Sequence, residues 1–210
     1  LSLSSLAYAI RKSKELKFSN IHFNHLDILN LKKINANFDI VEVMGVLHHM
    51  ENPMLGLESI LNCIKPGGLL KIGLYSKKAR ENITRIKKDI TKLNIQADKN
   101  SMLSFRNKIK NLRINHYDDI FQSNDAYSLS GFRDLIFHEH ELYFNLDDIK
   151  KFIKKYNLHF CGFDNDELNS KFINIFGFEE LQNLDKWANI ENNNKKSFSR
   201  MYQFWCQKGY

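Results

Sequence analysis

Apolar side chains at Leu3, Leu6, Ala7 and Ile10 fall on one face at helical spacing, with Ser2 or Ser4 placed to cap the first turn. This predicts an amphipathic helix running to about Leu16. Ile21, Phe23 and His25 then alternate with polar neighbours, and residues 38–43 form an apolar run with β-branched members; both read as strands. A helix from about Pro53 to Cys63 is bounded by proline in its first turn and by the stop Lys65-Pro66-Gly67-Gly68, after which residues 68–74 read as another strand. Strands alternating with helices are the grammar of a parallel sheet with helices on its faces.

Beyond Ser76 the pattern changes. Residues 77–115 are polar, rich in Lys and Asn, helical at best and without a long apolar face, so they read as an insertion. Aromatic and apolar residues return over 127–137. A helix at 146–156 is announced by Asn145 as N-cap, with Asp147 and Asp148 in its first turn. Residues 159–163 form a short strand, and 201–207 a last one in which Tyr202, Phe204 and Cys206 alternate with Met201, Gln203, Trp205 and Gln207. Between these two strands, 179–191 reads as helical and Asn192-Asn193-Asn194-Lys195-Lys196 as a solvated turn.

The chain has 210 residues, 43% of them hydrophobic, enough for one sizeable core and a small accessory layer. Its three cysteines, Cys63, Cys161 and Cys206, are odd in number and form no CxxC pair, which argues against a disulfide framework or a zinc knuckle and favours a reducing, cytoplasmic setting. No apolar run approaches the roughly 20 residues of a spanning helix, so no membrane partner is expected. The net charge of +7 would ordinarily raise nucleic acid as a partner, but Lys and Asn are spread everywhere rather than focused between aromatics, which makes that partner less favoured.

The stretch Phe38-Asp39-Ile40-Val41-Glu42-Val43-Met44-Gly45-Val46-Leu47-His48-His49, followed by Lys65-Pro66-Gly67-Gly68-Leu69-Leu70-Lys71-Ile72, resembles the fourth and fifth strands of class I S-adenosylmethionine-dependent methyltransferases. Either segment alone would be weak; the pair at this separation is specific. His22-Phe23-Asn24-His25-Leu26-Asp27-Ile28 resembles the third strand and the acid that, in the family, accepts a hydrogen bond from the adenine amino group. Leu1-Ser2-Leu3-Ser4 resembles the segment after the second strand. The first strand, its Gly-rich turn and the second strand have no counterpart here, so the resemblance implies an N-terminally truncated chain that binds the cofactor weakly or not at all by itself.

The resemblance further implies an α/β fold with a Rossmann-like methyltransferase sheet, incomplete at its start. Residues 1–76 and 146–210 would form the core, and 77–145 a helical cap over the substrate side. S-adenosylmethionine is the implied cofactor, with Leu1, Ser2, Asp27, Ile28, Val43, Met44, Gly45 and His49 as its contacts. The dipeptide His48-His49 would open a loop beneath it, with one ring packed there. Tyr75, Tyr127, Arg133 and His138 are the candidates for the substrate, because 127–138 mixes aromatic, cationic and titratable groups. The methyl acceptor, a small molecule or a protein, is not readable. His138-Glu139-His140-Glu141 offers two imidazoles and two carboxylates, but no third ligand is obvious nearby, and no metal is expected. Asp27 could instead cap a turn, and Arg133 could pair with Asp134 or Glu139. A nicotinamide-dependent dehydrogenase and a non-catalytic or RNA-binding module on the same scaffold are the competing readings.

Overall fold

The structure, a computed structural model, describes residues 2–112, 114–138 and 140–210. Its strands are β1 (Phe38–Met44), β2 (Ile64–Tyr75), β3 (Leu158–Phe163) and β4 (Met201–Lys208). The helices are α1 (Leu3–Glu15), α2 (Pro53–Leu61), α3 (Glu81–Lys92), α4 (Lys99–Leu112), α5 (Asn115–Asp118), α6 (Leu129–Phe137), α7 (Leu146–Lys155), α8 (Asp166–Phe176) and α9 (Leu184–Asn193). The sheet order is β1-β2-β4-β3. β1 and β2 are parallel and joined through α2, while β4 runs antiparallel to both β2 and β3.

The antiparallel closure has a positional consequence. Pairing of Tyr75 with Met201 sets the beginning of β4 beside the carboxyl end of β2, so the residues just before β4 arrive at the same end of the sheet as the loop after β1. One sheet face carries Val43, Leu70, Ile72, Leu74, Tyr202, Phe204 and Cys206, and these join Leu57 and Ile60 of α2, Ile149 and Phe152 of α7, Phe172 of α8 and Trp187 of α9 in the main core. The capping box of Asn145 and Asp148 starts α7 where the sequence pattern places it.

Four expectations differ from the structure. Residues 21–25 form no strand: among the described residues none pairs with them, and the outer edge of β1 is bare, with Ile40 56% exposed. A strand without a partner leaves its backbone groups to water and gains nothing from the extended form. β2 begins at Ile64 rather than 68, because Phe38 pairs with Ile64 and Ile40 with Leu69, so the Pro66-Gly67 stretch is accommodated as a bulge in a continuous strand. α8 lies in a segment where the sequence pattern suggested no helix. Residues 77–115 also do have apolar faces: Ile83, Ile86 and Ile90 of α3 meet Met102, Phe105 and Ile109 of α4 and Phe132, Leu135 and Ile136 of α6 in a second hydrophobic core. The apolar residues there are few, but their three-to-four spacing concentrates them on one side.

Trp187 anchors the main core. It is fully buried, stacks on Phe172 at 4.1 Å between ring centroids, and donates its indole N–H to the Leu181 carbonyl at 2.8 Å. Trp187→Ala is therefore expected to cost about 3–5 kcal/mol of stability, read as a lower urea midpoint at unchanged slope; a loss below about 1 kcal/mol would show that this side of the core is not tightly packed.

Candidate active site

The loop after β1 turns at Gly45, whose φ of +71° lies in the left-handed region, and a Cβ built there would meet nothing within 4 Å. Glycine is thus required by backbone conformation, while the space beside it is open. The loop then drops His48 into the protein, fully buried, its ring stacked on Tyr75 at 3.6 Å. The Arg80 guanidinium also lies 3.6 Å from the Tyr75 centroid. Two groups at that distance cannot share one face, so Tyr75, at the carboxyl end of β2, is sandwiched between an imidazole and a guanidinium.

Neither ring nitrogen of His48 has a hydrogen-bond partner among the described residues. Burial pushes its pKa down to about 4, helped by His49 and Arg80 and opposed by Glu141 and the Gly73 backbone. His48 is a neutral ring wedged under the site. His49 stays half-buried, its Nδ1 3.2 Å from the His140 carbonyl and its ring 4.2 Å from that of His138. The segment carrying His138 and His140 is laced to the sheet end: Leu142 N–H donates to the His48 carbonyl, and Phe144 N–H to that of Tyr75.

Glu141 lies at the centre, its side chain 1% exposed. It accepts from Lys87 Nζ at 2.6 Å and from Tyr143 Oη at 2.8 Å, with Arg80 Nη2 at 3.4 Å. Burial alone would raise its carboxyl pKa, but Arg80, Lys87 and Tyr143 together outweigh that and hold it below the usual carboxylate range. Potential ligand atoms of His49, His138 and Glu141 all lie within 4.8 Å of one another. His49 is the third donor that the sequence around 138–141 did not disclose, because it comes from almost ninety residues upstream.

The whole assembly sits where ligands enter open α/β sheets, outside the carboxyl ends of parallel strands. The sequence model of the methyltransferase domain family matches residues 1–130. The chain belongs to that family. An uncharacterized protein of Synechococcus sp. is 25% identical over 206 residues, covering 89% of this chain and 48% of that protein. A tRNA U34 carboxymethyltransferase of Desulfotalea psychrophila is 30% identical over 64 residues, 30% of this chain and 20% of that one. The chain therefore spans half or less of the length of these relatives. Among solved structures, PKMT2 from Rickettsia typhi in complex with AdoHcy superposes with a TM-score of 0.68 at 15% identity, over 99% of this chain and 43% of that one; a second structure of PKMT2 from Rickettsia typhi gives 0.60 at 15% identity, over 99% of this chain and 42% of that one. At that identity the likeness establishes the Rossmann-like methyltransferase fold.

In this methyltransferase domain the residues singled out from sequence fall into two groups. Val43 is buried in the main core at the end of β1, Met44 packs against Gly73, and Gly45 and His49 follow directly. Asp27 caps a short 3-10 turn, accepting from Leu29 N–H at 2.8 Å, and the Ile28 carbonyl accepts from the Ser59 hydroxyl at 2.6 Å, which fixes this stretch on α2. Ser2 caps α1 through Ser5 N–H; Leu1 lies outside the described residues. On the other side, Tyr75 and His138 meet the histidine cluster, but Tyr127 is 61% exposed with its hydroxyl on the Phe121 carbonyl, and Arg133 is exposed on α6 with no ion pair to Asp134 among the described residues. The alternative partner Glu139 lies outside the described residues. Sequence reasoning missed Arg80, Lys87, Glu141 and Tyr143 as one unit. Arg80 and Lys87 stand seven residues apart, two helical turns, but nothing along the chain couples them to Glu141.

The buried neutral His48 makes stability depend on pH. Its folded pKa lies below its unfolded value of 6.5, so its contribution is fully present above pH 6.5 and is lost as the pH falls towards 4, when the unfolded chain takes up a proton that the folded one refuses. At about 1.4 kcal/mol per unit, the loss amounts to about 3 kcal/mol. His48→Phe, which keeps a ring against Tyr75, is expected to flatten the unfolding free energy between pH 7 and pH 4; an unchanged slope would mean that His48 is not held neutral.

Proposed function

We propose that this chain is part of an S-adenosylmethionine-dependent methyltransferase whose methyl donor lies along the carboxyl ends of β1 and β2. The observation that carries the reading is the open cradle at Gly45, directly above the parallel β1–β2 pair in a chain of the methyltransferase domain family. A Cβ at this position is absent where close backbone approach to a ligand is needed. When bound, S-adenosylmethionine supplies a methyl carbon already activated by the positive sulfonium, so the protein has to align and to exclude water.

The chain's own residues then divide the work. Asp27 keeps one carboxylate oxygen on Leu29 and leaves the other for the adenine amino group. Val43, Met44 and Gly45 present backbone to the methionine end, and the buried His48–Tyr75–Arg80 stack forms a rigid floor without a mobile charge. His49 and His138 line the acceptor side. His138 Nδ1 is buried with no hydrogen-bond partner among the described residues, which leaves it to hold a hydrogen bond from the acceptor. Residues 77–145 serve as the cap, with their own core behind them; caps at this edge exclude water and select substrates. The acceptor is a small molecule or a protein side chain.

Titration of S-adenosylmethionine into the isotope-labelled chain, followed by NMR, suits weak binding. Saturable shifts are expected at Asp27, Ile28, Val43–Gly45 and His49, and Asp27→Ala should weaken the affinity by about 1–3 kcal/mol. Gly45→Val should abolish the shifts, because the valine would be forced to a positive φ and would fill the cradle. Saturable shifts confined to other surfaces would sink the reading; an unchanged affinity in Asp27→Ala would leave Asp27 as a turn cap only.

A further inference from the structure

Behind the Tyr75 sandwich lies a cavity of about 540 Å³, walled by Tyr75 and Arg80 at the end of β2, by Asp119 and its neighbours in the helical segment, and by Lys196, Arg200 and Gln203 around the start of β4. We propose that this cavity holds an anionic group, a carboxylate or a phosphate, carried by the methyl acceptor. The proposal rests on the methyltransferase reading for the acceptor, but the anion site itself stands on the cavity's own walls.

Two guanidiniums in these walls have spare donors. Arg80 is 3% exposed; its Nε is buried without a partner among the described residues, and only Nη2 reaches Glu141, at 3.4–3.5 Å, a carboxylate already held more closely by Lys87 and Tyr143. Arg200 donates from Nη2 to the Asp119 backbone carbonyl at 2.7 Å and forms no ion pair among the described residues. A cation taken out of water without a counter-charge is costly, and a forked guanidinium matches the oxygens of a carboxylate or phosphate. Two carboxylates share these walls: Asp119 is engaged by Lys196 and by the Asn82 amide, and Asp125 accepts from the Ser123 hydroxyl at 3.1 Å without forming an ion pair to Arg200.

The backbone places Arg200 at some expense. Ser199 and Arg200 sit at φ +45° and +80°, a region that non-glycine residues occupy only when the surroundings hold them there. What holds them is the sheet end: Ser76 N–H donates to the Arg200 carbonyl at 3.0 Å, next to the Tyr75–Met201 pair. Strain of this kind, spent on presenting a half-buried cation with no ion pair among the described residues to a cavity, fits a binding site better than a packing accident. Because Arg80 and Tyr75 belong to both the cavity wall and the cluster containing His48, an anion held by the two arginines leaves the rest of its molecule beside Tyr75, next to the donor cradle.

The test uses inorganic phosphate and malonate as probes, with uncharged malonamide as control, read by calorimetry and by the shift in thermal midpoint. Saturable binding of phosphate or malonate but not malonamide is expected, and whichever anion binds more tightly identifies phosphate or carboxylate chemistry. Arg200→Gln should weaken it by roughly tenfold or more, the scale of losing a charge-assisted fork, whereas Arg133→Gln should leave it unchanged. Should Arg200→Gln fail to fold by near-ultraviolet circular dichroism, Arg200→Lys decides: it keeps the charge but loses the fork, and a several-fold weakening is expected. Equal response to malonamide, equal loss in Arg133→Gln, or full affinity in the folded Arg200 variant would overturn the site. S-adenosylmethionine shifts recorded on the same wild-type sample separate the two proposals, since anion binding together with donor shifts confined to surfaces away from Gly45 would refute the donor cradle and leave the cavity assignment standing.

Discussion

The Glu141 carboxylate is the constraint from which the site is built. A charge with 1% of its side chain exposed survives only with several donors around it, and Glu141 draws these from separate parts of the chain: Arg80 just before α3, Lys87 within α3, and Tyr143 two residues on. Satisfying that one group ties the first helix of the second core to the strand-like segment 140–144. The same contacts orient Arg80 over Tyr75, and Tyr75 in turn stacks on His48. Removing a single partner would leave an uncompensated charge, so the arrangement of Arg80, Tyr75 and His48 is specified together rather than piece by piece.

Sheet topology supplies the other half. Parallel β1 and β2 bring Gly45 and Tyr75 to one end, as two strands joined through a helix must. β4 enters between β2 and β3 in the opposite direction, so its first residues rather than its last share that end. Arg200 can therefore stand near Arg80 even though the two are far apart in the chain. An all-parallel sheet would have placed the residues that end β4 there instead, and the strained turn before Met201 would have lain at the opposite rim.

Much of the framework was legible because it follows from local rules. The Asn145 capping box, proline at the start of α2, and alternation of Tyr202, Phe204 and Cys206 each report an element from a few neighbouring residues, and all three elements are present. The strand expected at 21–25 failed because alternation describes a surface and not a partner; Ile21 and Phe23 alternate, yet no described strand pairs with them. The second core was underestimated for a different reason: Ile83, Ile86 and Ile90 are the few apolar residues among many Lys and Asn, so mean polarity hid a periodic stripe. At the site, Tyr75, His49 and His138 were legible as residue types in suggestive places, whereas their company was not. Glu141, Lys87 and Arg80 acquire meaning only through contacts across 54 and 61 positions.

The trio of His49, His138 and Glu141 shows why proximity of ligand-type groups does not decide their chemistry. Their donor atoms cluster as a metal site's would. Glu141, however, already receives an ammonium at 2.6 Å and a phenol at 2.8 Å, with a guanidinium beside them. A divalent cation would have to displace Lys87 and then sit next to Arg80, exchanging two attractive contacts for like-charge repulsion in a poorly hydrated space. The neutral His48 beneath points the same way, since its protonation is suppressed by burial and by a neighbouring cation. Positive charge is thus already abundant here and balanced by one carboxylate. Such an environment favours imidazoles that exchange hydrogen bonds with an acceptor over imidazoles that bind an ion, and it sets the polarity of the proposed arrangement: the acceptor passes His49 and His138, while its anionic end is drawn towards the arginines behind Tyr75.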